Sequence, residues 1–360
     1  MINFANNNQS HINMIRFSEY VSLGHPDKIA DYISQYILDR YIECDPNTRY
    51  AVEVQIKDRH VTIGGEITSA VGFSSSMIAR FAREAVNEIG YTQEYQRKWG
   101  KENTICGDEL EVDVFINDQS PDIAQGVDNN SGWGDQGIFF GMCEYNPQTC
   151  GMPYDHTIAK RLCHALFESK LGGLDIKTQV VTDNDKIKKV IVAVPLLATT
   201  RPDIVLDFIK AHIPARRGTY EIVLNGTGRY VRHSSLADCG TTGRKLAVDF
   251  YGGNCRIGGG SPWTKDGTKA DLTLNLVARR LAKNYAIEHG CTVFVSLACA
   301  IGSDSVDMCV TDNAGNIIVS GVTTLNPHTL RHDYKLDTPI YASMCRWGLF
   351  GEFQQDKVWE

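Results

Sequence analysis

The residues of this chain that could do chemistry fall in short polar clusters with turn-like settings. They are His25-Pro26-Asp27-Lys28 at the start of a helix, Gly64-Gly65-Glu66, Gln119-Ser120-Pro121-Asp122, Gly134-Asp135-Gln136-Gly137, Asp238-Cys239-Gly240-Thr241-Thr242-Gly243-Arg244-Lys245, and Gly258-Gly259-Gly260 running through Lys265 to Asp271. Glycines beside cations and carboxylates suit a phosphate and metal site. Backbone N–H groups approach phosphate oxygens where no Cβ intrudes, Lys and Arg neutralise charge, and Asp holds Mg²⁺ through one or two oxygens. Each cluster alone has a plainer alternative. A His before a helix is commonly a cap, Arg244-Lys245 a solvated pair, Asp238 and Asp271 turn or cap residues, and Gly252 to Gly260 a flexible loop.

Familiar nucleotide and hydrolase signatures are absent. There is no G-x-x-x-x-G-K-[ST], no H-E-x-x-H and no G-x-S-x-G, and Gly226-Thr227-Gly228 lacks the third glycine of a dinucleotide turn. Cys239 precedes Arg244 by too few residues for the loop of a cysteine phosphatase.

The elements that must position these clusters can be read from periodicity. Ile29, Ile33, Ile37 and Tyr41 recur every four residues after Pro26 and predict a helix from about Asp27 to Cys44. Alternation from Ala51 to Ile63 predicts a hairpin turning near Asp58-Arg59, with Gly64-Gly65-Glu66 breaking its second strand. Met77, Ile78, Phe81, Ala82 and Val86 predict a helix capped by Gly90. Further on come helix Thr157 to Leu171, strands Thr178 to Val181 and Lys188 to Leu197, helix Pro202 to His212 and strand Tyr220 to Leu224. Helix Asp271 to Glu288 then precedes strands Cys291 to Ala300, Val306 to Val310 and Asn316 to Val319. Helices grouped with hairpins predict α+β units of mostly antiparallel sheet, each covered by helices on one face. Asn117 to Asp135 fits no element and reads as a lid or an idle surface loop.

Composition sets the outer bounds. A chain of 360 residues is long enough for two or three cores, and 36 Lys and Arg against 43 Asp and Glu, net −7, provide no broad basic surface for nucleic acid or an anionic membrane. Eleven scattered Cys without a C-x-x-C pair favour reduced thiols in the cytoplasm. Residues 1–14 are polar and Asn-rich and read as a disordered tail. The most apolar run, Val190 to Ala198, is too short to cross a bilayer.

Together the clusters resemble one family over nearly the whole chain. Ser18-Glu19, Val21-Ser22 and Gly24-His25-Pro26-Asp27-Lys28-Ile29-Ala30-Asp31 resemble the N-terminal signature of S-adenosylmethionine synthetases. The same order continues through Gly64-Gly65-Glu66-Ile67-Thr68, Gln119-Ser120-Pro121-Asp122-Ile123, Gln125-Gly126-Val127-Asp128, Gly134 to Gly137, Asp238-Cys239-Gly240, Thr242-Gly243-Arg244-Lys245, and Asp249 through Tyr251-Gly252-Gly253.

That resemblance implies an enzyme joining ATP to L-methionine, with hydrolysis of the tripolyphosphate product to pyrophosphate and phosphate. It implies three similar α+β domains around a pseudo-threefold axis: an N-terminal domain at 15–122, a central domain at 123–231 and a C-terminal domain at 232–360. His25 is expected at the breaking bond, with Lys177, Arg244, Lys245 and Lys265 on the polyphosphate and Lys269 close by. Asp135, Asp175 and Tyr230 are expected near the nucleoside, and Glu66, Gln119, Asp238 and Ile301 around methionine. Asp27 and Asp271 resemble magnesium ligands, two ions being expected, and Glu53 resembles a potassium ligand. Gln119, Asp122, Gln125, Gly126 and Asp135 belong to the expected gate loop. Family members pair as homodimers with shared active sites, and a tetramer is also consistent with the pattern.

Several positions depart from the family's pattern: Leu23 stands for an acid, Gly226 for Pro, Tyr230 for Phe, and Ser261-Pro262-Trp263-Thr264 for a smaller sequence ahead of Lys265. Leu349 and Glu352 replace a His and an Arg near the C-terminus. An inactive nucleotide- or S-adenosylmethionine-binding sensor and a tripolyphosphatase therefore stand as alternatives.

Overall fold

The computed structural model describes residues 15–117, 132–214 and 219–360. In chain order the elements are β1 (Ile15–Val21), α1 (Pro26–Cys44), β2 (Arg49–Lys57), β3 (His60–Thr68), α2 (Ser75–Ile89), α3 (Gln93–Trp99), β4 (Glu111–Asn117), β5 (Gly137–Cys143), α4 (Tyr154–Ser169), β6 (Lys177–Asp183), β7 (Lys186–Ala193), α5 (Pro202–His212) and β8 (Glu221–Leu224). There follow β9 (Gly240–Thr241), α6 (Leu246–Asp249), α7 (Ala270–His289), β10 (Val293–Cys299), β11 (Ser305–Asp312), β12 (Ile317–Thr324), α8 (Pro327–Asp333) and α9 (Tyr341–Cys345).

The described strands form three four-stranded sheets, ordered β4-β3-β2-β9, β1-β6-β7-β8 and β12-β11-β10-β5. The architecture is α+β, as expected. Helix α1 packs on the first sheet, α4 on the second and α7 on the third. Pairing is antiparallel except between β3 and β4 and between β7 and β8. Sheet membership is not contiguous in sequence: β1 pairs along its whole length with β6, and β5 with β10. The expected boundaries after 122 and 231 are thus crossed by strands from each side.

Local sequence explains these elements. The His25 side chain caps α1, Pro26 occupies its first turn, and Ile29, Ile33 and Ile37 are wholly buried, each stabilising the fold by about 1.5–3 kcal/mol. Contrary to expectation, Gly64-Gly65-Glu66 does not break β3, which runs through to Thr68. Gly65 has φ +154°, and a Cβ there would lie 2.1 Å from the Ala51 carbonyl oxygen. Glycine lets β3 stay on β2 at this point instead of ending it. Strand β7 stops at Ala193, short of the expected Leu197. The Asn225 side-chain amide takes both the N–H and the carbonyl of Val194, at 2.9 Å each, in place of a strand partner, and Pro195 follows.

The departures from the family pattern are accommodated by packing. Leu23 and Leu349 are core residues. Glu352 pairs with Arg161 through its Nε, at 2.8 and 3.0 Å. Trp263 is fully buried and does not project beside the Lys265 ammonium into solvent.

Candidate active site

Helix α1 carries an acceptor every fourth residue along one line, and each holds a backbone N–H of a distant loop. Asp27 Oδ1 accepts from Thr241 N–H at 2.9 Å, Asp31 Oδ1 from Gly243 at 2.8 Å, and Gln35 Oε1 from Thr264 at 2.9 Å. Spacing of i, i+4, i+8 places these side chains on one face. The loops so aligned carry Arg244-Lys245 and Lys265. Lys245 Nζ donates to Asp27 Oδ2 at 2.6 Å, and Arg244 Nε lies 3.7 Å from Oδ1.

His25 sits at the head of this line, buried, with its Nδ1 accepting the Asp27 N–H at 3.1 Å. A ring nitrogen that accepts carries no proton, so the neutral ring bears its proton on Nε2. Burial, reinforced by Lys177 and Lys245, pushes the pKa down to about 2. His25 is therefore a neutral N–H donor placed among cations.

A second group forms around Lys265, which bridges to Ala51 of β2 and contacts Asp271 in the first turn of α7. A Cβ on Gly260 would fall 1.8 Å from Asp271 Oδ1, so the glycine run closes directly on this carboxylate. Glu53 joins the two groups: Thr242 donates its hydroxyl to one carboxylate oxygen and Thr264 to the other, the latter at 3.1 Å. Lys269 is turned toward the buried Asp266 carboxylate, 4.0 Å away. Asp135 and Asp271 both act on the Cys299 thiol, whose Sγ lies 3.4 Å from the Asp135 carbonyl. Ile301, largely exposed, bridges to Trp133 in the backbone beside Asp135.

At the other end, Asp175 is buried and accepts the Ser234 N–H at 3.1 Å through Oδ2, while its Oδ1 has no hydrogen-bond partner among the described residues. Burial pushes its pKa up to about 6 against the pull of Lys177. An unpaired buried carboxylate oxygen suits a ligand that brings a donor, such as a nucleoside hydroxyl or amine. Tyr230 reaches the Asp175 carbonyl at 3.5 Å, and Asp238 acts electrostatically on both His25 and Asp175. Glu66 lies on β3 between Ala51 and Asn117. Gln119, Asp122, Gln125 and Gly126 lie outside the described residues.

Sequence reasoning named Lys28 and Asp31 only within motifs and Trp263 only as a departure from the family pattern, and it did not pick out Gln35. For Asp27, Asp31 and Gln35 the four-residue spacing was a usable signal. A concavity of about 680 Å³ between Gly253–Arg256 and strands β10 and β11 contains none of the expected phosphate or metal residues.

No cage of three or more His, Cys, Asp or Glu side chains exists among the described residues. Mg²⁺ commonly uses one or two carboxylates and takes its other ligands from phosphates and water. Asp27 and Asp271 are single carboxylates of that kind, each now holding a lysine ammonium.

Comparison with known proteins bears on the family of the chain. Residues 13–121 match "S-adenosylmethionine synthetase, N-terminal domain" and residues 233–360 match "S-adenosylmethionine synthetase, C-terminal domain". The chain is 34% identical to S-adenosylmethionine synthase of Parafrankia sp. (strain EAN1pec) and 32% identical to that of Mycobacterium ulcerans (strain Agy99), in both cases over 95% of each chain. An unusual S-adenosylmethionine synthetase from Campylobacter jejuni superposes with a TM-score of 0.83 at 31% identity, covering 94% of this chain and 95% of the other. The family is enzymatic and generally metal-dependent. On fold, motif order and likeness along nearly its whole length, the chain belongs to the S-adenosylmethionine synthetase family.

Proposed function

We propose that this chain is a methionine adenosyltransferase that forms S-adenosylmethionine from ATP and L-methionine and hydrolyses the tripolyphosphate to pyrophosphate and phosphate. What supports this reading is the buried His25, whose Nδ1 accepts the Asp27 N–H so that its proton lies on Nε2, with Lys177, Lys245 and Lys28 acting on it. A thioether has no proton to lose, so the reaction needs alignment and a stabilised leaving group more than a general base. The methionine sulfur gives its lone pair to C5′, the C5′–O bond breaks, and the tripolyphosphate keeps that electron pair. His25 donates to the departing oxygen, and Arg244, Lys245 and Lys265 offset the growing charge without reorganising.

Asp27 and Asp271 would hold two Mg²⁺ ions, which neutralise phosphate charge when bound, and Glu53 would hold K⁺. Asp175 and Tyr230 take the nucleoside, and Glu66, Asp238 and Ile301 the methionine end. We further propose a cytoplasmic homodimer with shared sites. All eleven cysteines are unpaired, and no described helix is long and apolar enough to cross a membrane. Each sheet leaves large apolar side chains exposed, Phe115 on β4, Phe17 on β1 and Ile138 on β5, which supports sheet-to-sheet pairing.

The test is mass-spectrometric detection of S-adenosylmethionine from ATP, L-methionine, Mg²⁺ and K⁺, with both phosphates followed. Methionine-dependent product is expected. Ligand binding without turnover would favour a sensor, and phosphate release from tripolyphosphate without the methionine product would favour a tripolyphosphatase.

A further inference from the structure

Trp263 belongs to the stretch that departs from the family pattern, and the reaction proposed above does not use it. Its indole N–H donates to Asp249 Oδ2 at 2.8 Å. The other Asp249 oxygen accepts from Lys28 Nζ at 2.7 Å, and the same ammonium donates to Asp31 Oδ2 at 3.1 Å while lying 4.7 Å from the centre of the Trp263 ring. Asp31 passes the constraint on through the Gly243 N–H, directly ahead of Arg244 and Lys245. In the next residue of the chain, Thr264 is held by Gln35 and by the Val52 N–H, which donates to its carbonyl at 3.0 Å, directly ahead of Lys265.

Charge balance explains why an indole suits this position. Two buried carboxylates share one buried ammonium, so one Asp249 oxygen faces no cation and needs a donor. The indole N–H supplies it without adding charge, and the ring face covers the open side of Lys28.

Resting on the phosphate site proposed above, we propose that Trp263 is a positioning residue for the polyphosphate clamp. Through Asp249, Lys28 and Asp31 it sets the backbone bearing Arg244 and Lys245, and through Thr264 it sets Lys265. Two cation groups drawn from separate loops are thereby held in one register, and the methionine end lies outside this chain of contacts.

The test is calorimetric titration of Mg²⁺-tripolyphosphate into the full chain as wild type, as Trp263→Phe, and with Trp263 replaced by the sulfur isostere β-(3-benzothienyl)alanine. Both replacements lack the N–H, and the isostere keeps the ring's volume and face, so its folding is protected. The expected result is roughly tenfold weaker tripolyphosphate binding in both, with KM for methionine within about twofold of wild type. A purely structural role would lower melting temperature and leave the affinity of folded sites unchanged. Wild-type affinity in the isostere would overturn the proposal. A wild-type protein that does not bind tripolyphosphate would overturn the phosphate-site reading itself, and this inference with it.

Discussion

The Tyr95 phenol lies 2.7 Å from His233 Nε2 and accepts the Leu174 N–H at 2.9 Å. His233 Nδ1 lies 2.7 Å from the Val231 carbonyl, which can only accept, so Nδ1 bears the proton and Nε2 receives the Tyr95 O–H. One relay on α3 thus ties the backbone on either side of the nucleoside end, beside Asp175 and beside Tyr230. Tyr95→Phe leaves Leu174 N–H and His233 Nε2 unpaired, which costs about 1–3 kcal/mol of stability. The relay touches the loops proposed above for the nucleoside and not the residues proposed for methionine. Initial-rate kinetics should therefore show KM for ATP rising roughly fivefold with KM for methionine unchanged. Equal changes in both constants would remove the nucleoside assignment.

The same histidine predicts a pH effect. Burial pushes the His233 pKa down to about 4 from its ordinary 6.5. Between those values the unfolded chain binds the proton and the folded chain does not. Its contribution to stability is complete above about pH 6.5 and is lost as pH falls toward about 4. Urea unfolding of wild type and His233→Gln should differ by about 3 kcal/mol less at pH 4 than at pH 7. A difference independent of pH would mean that His233 is not held neutral.

The chain's local order is legible because it rests on short-range physics. Ile29, Ile33 and Ile37 mark α1 by their period, and the polar pair Asp58-Arg59 marks the turn between β2 and β3. The pairing of β1 with β6 is not legible in this way, since nothing in Ile15–Val21 encodes a partner so far along the chain. The charged residues proposed for the site were singled out by motif order. Their supports were not, because the backbone N–H groups that Asp31 and Gln35 hold belong to distant loops that local sequence does not place beside α1. Gly65 was misread for a related reason. A glycine in a strand marks either a break or a close approach, and only the neighbouring Ala51 carbonyl decides between them.

His25→Asn separates cap from donor. Asn is a good N-cap, so the acceptor for the Asp27 N–H survives and the melting temperature should stay within a few degrees. The imidazole N–H aimed among the cations is lost, and turnover should fall on the order of 10²–10³-fold. Lys265→Ala should lower turnover similarly by removing a cation and leaving Asp271 without its partner. Wild-type turnover in both variants would defeat the leaving-group argument.

The glycine run offers an internally controlled test of the second group. Around Gly259 nothing lies within 4 Å of an added Cβ, whereas on Gly260 it would meet the Asp271 carboxylate at 1.8 Å. Neither residue has positive φ, so backbone strain does not separate them and space alone does. Gly259→Ala should leave turnover within about twofold. Gly260→Ala must push Asp271 or the loop aside, moving the carboxylate away from Lys265, and should both lower turnover at least tenfold and raise the Mg²⁺ concentration needed for half-maximal rate. Turnover measured against Mg²⁺ in the two variants checks this. Equal behaviour would mean that Asp271 and the glycine run do not act together on metal or phosphate.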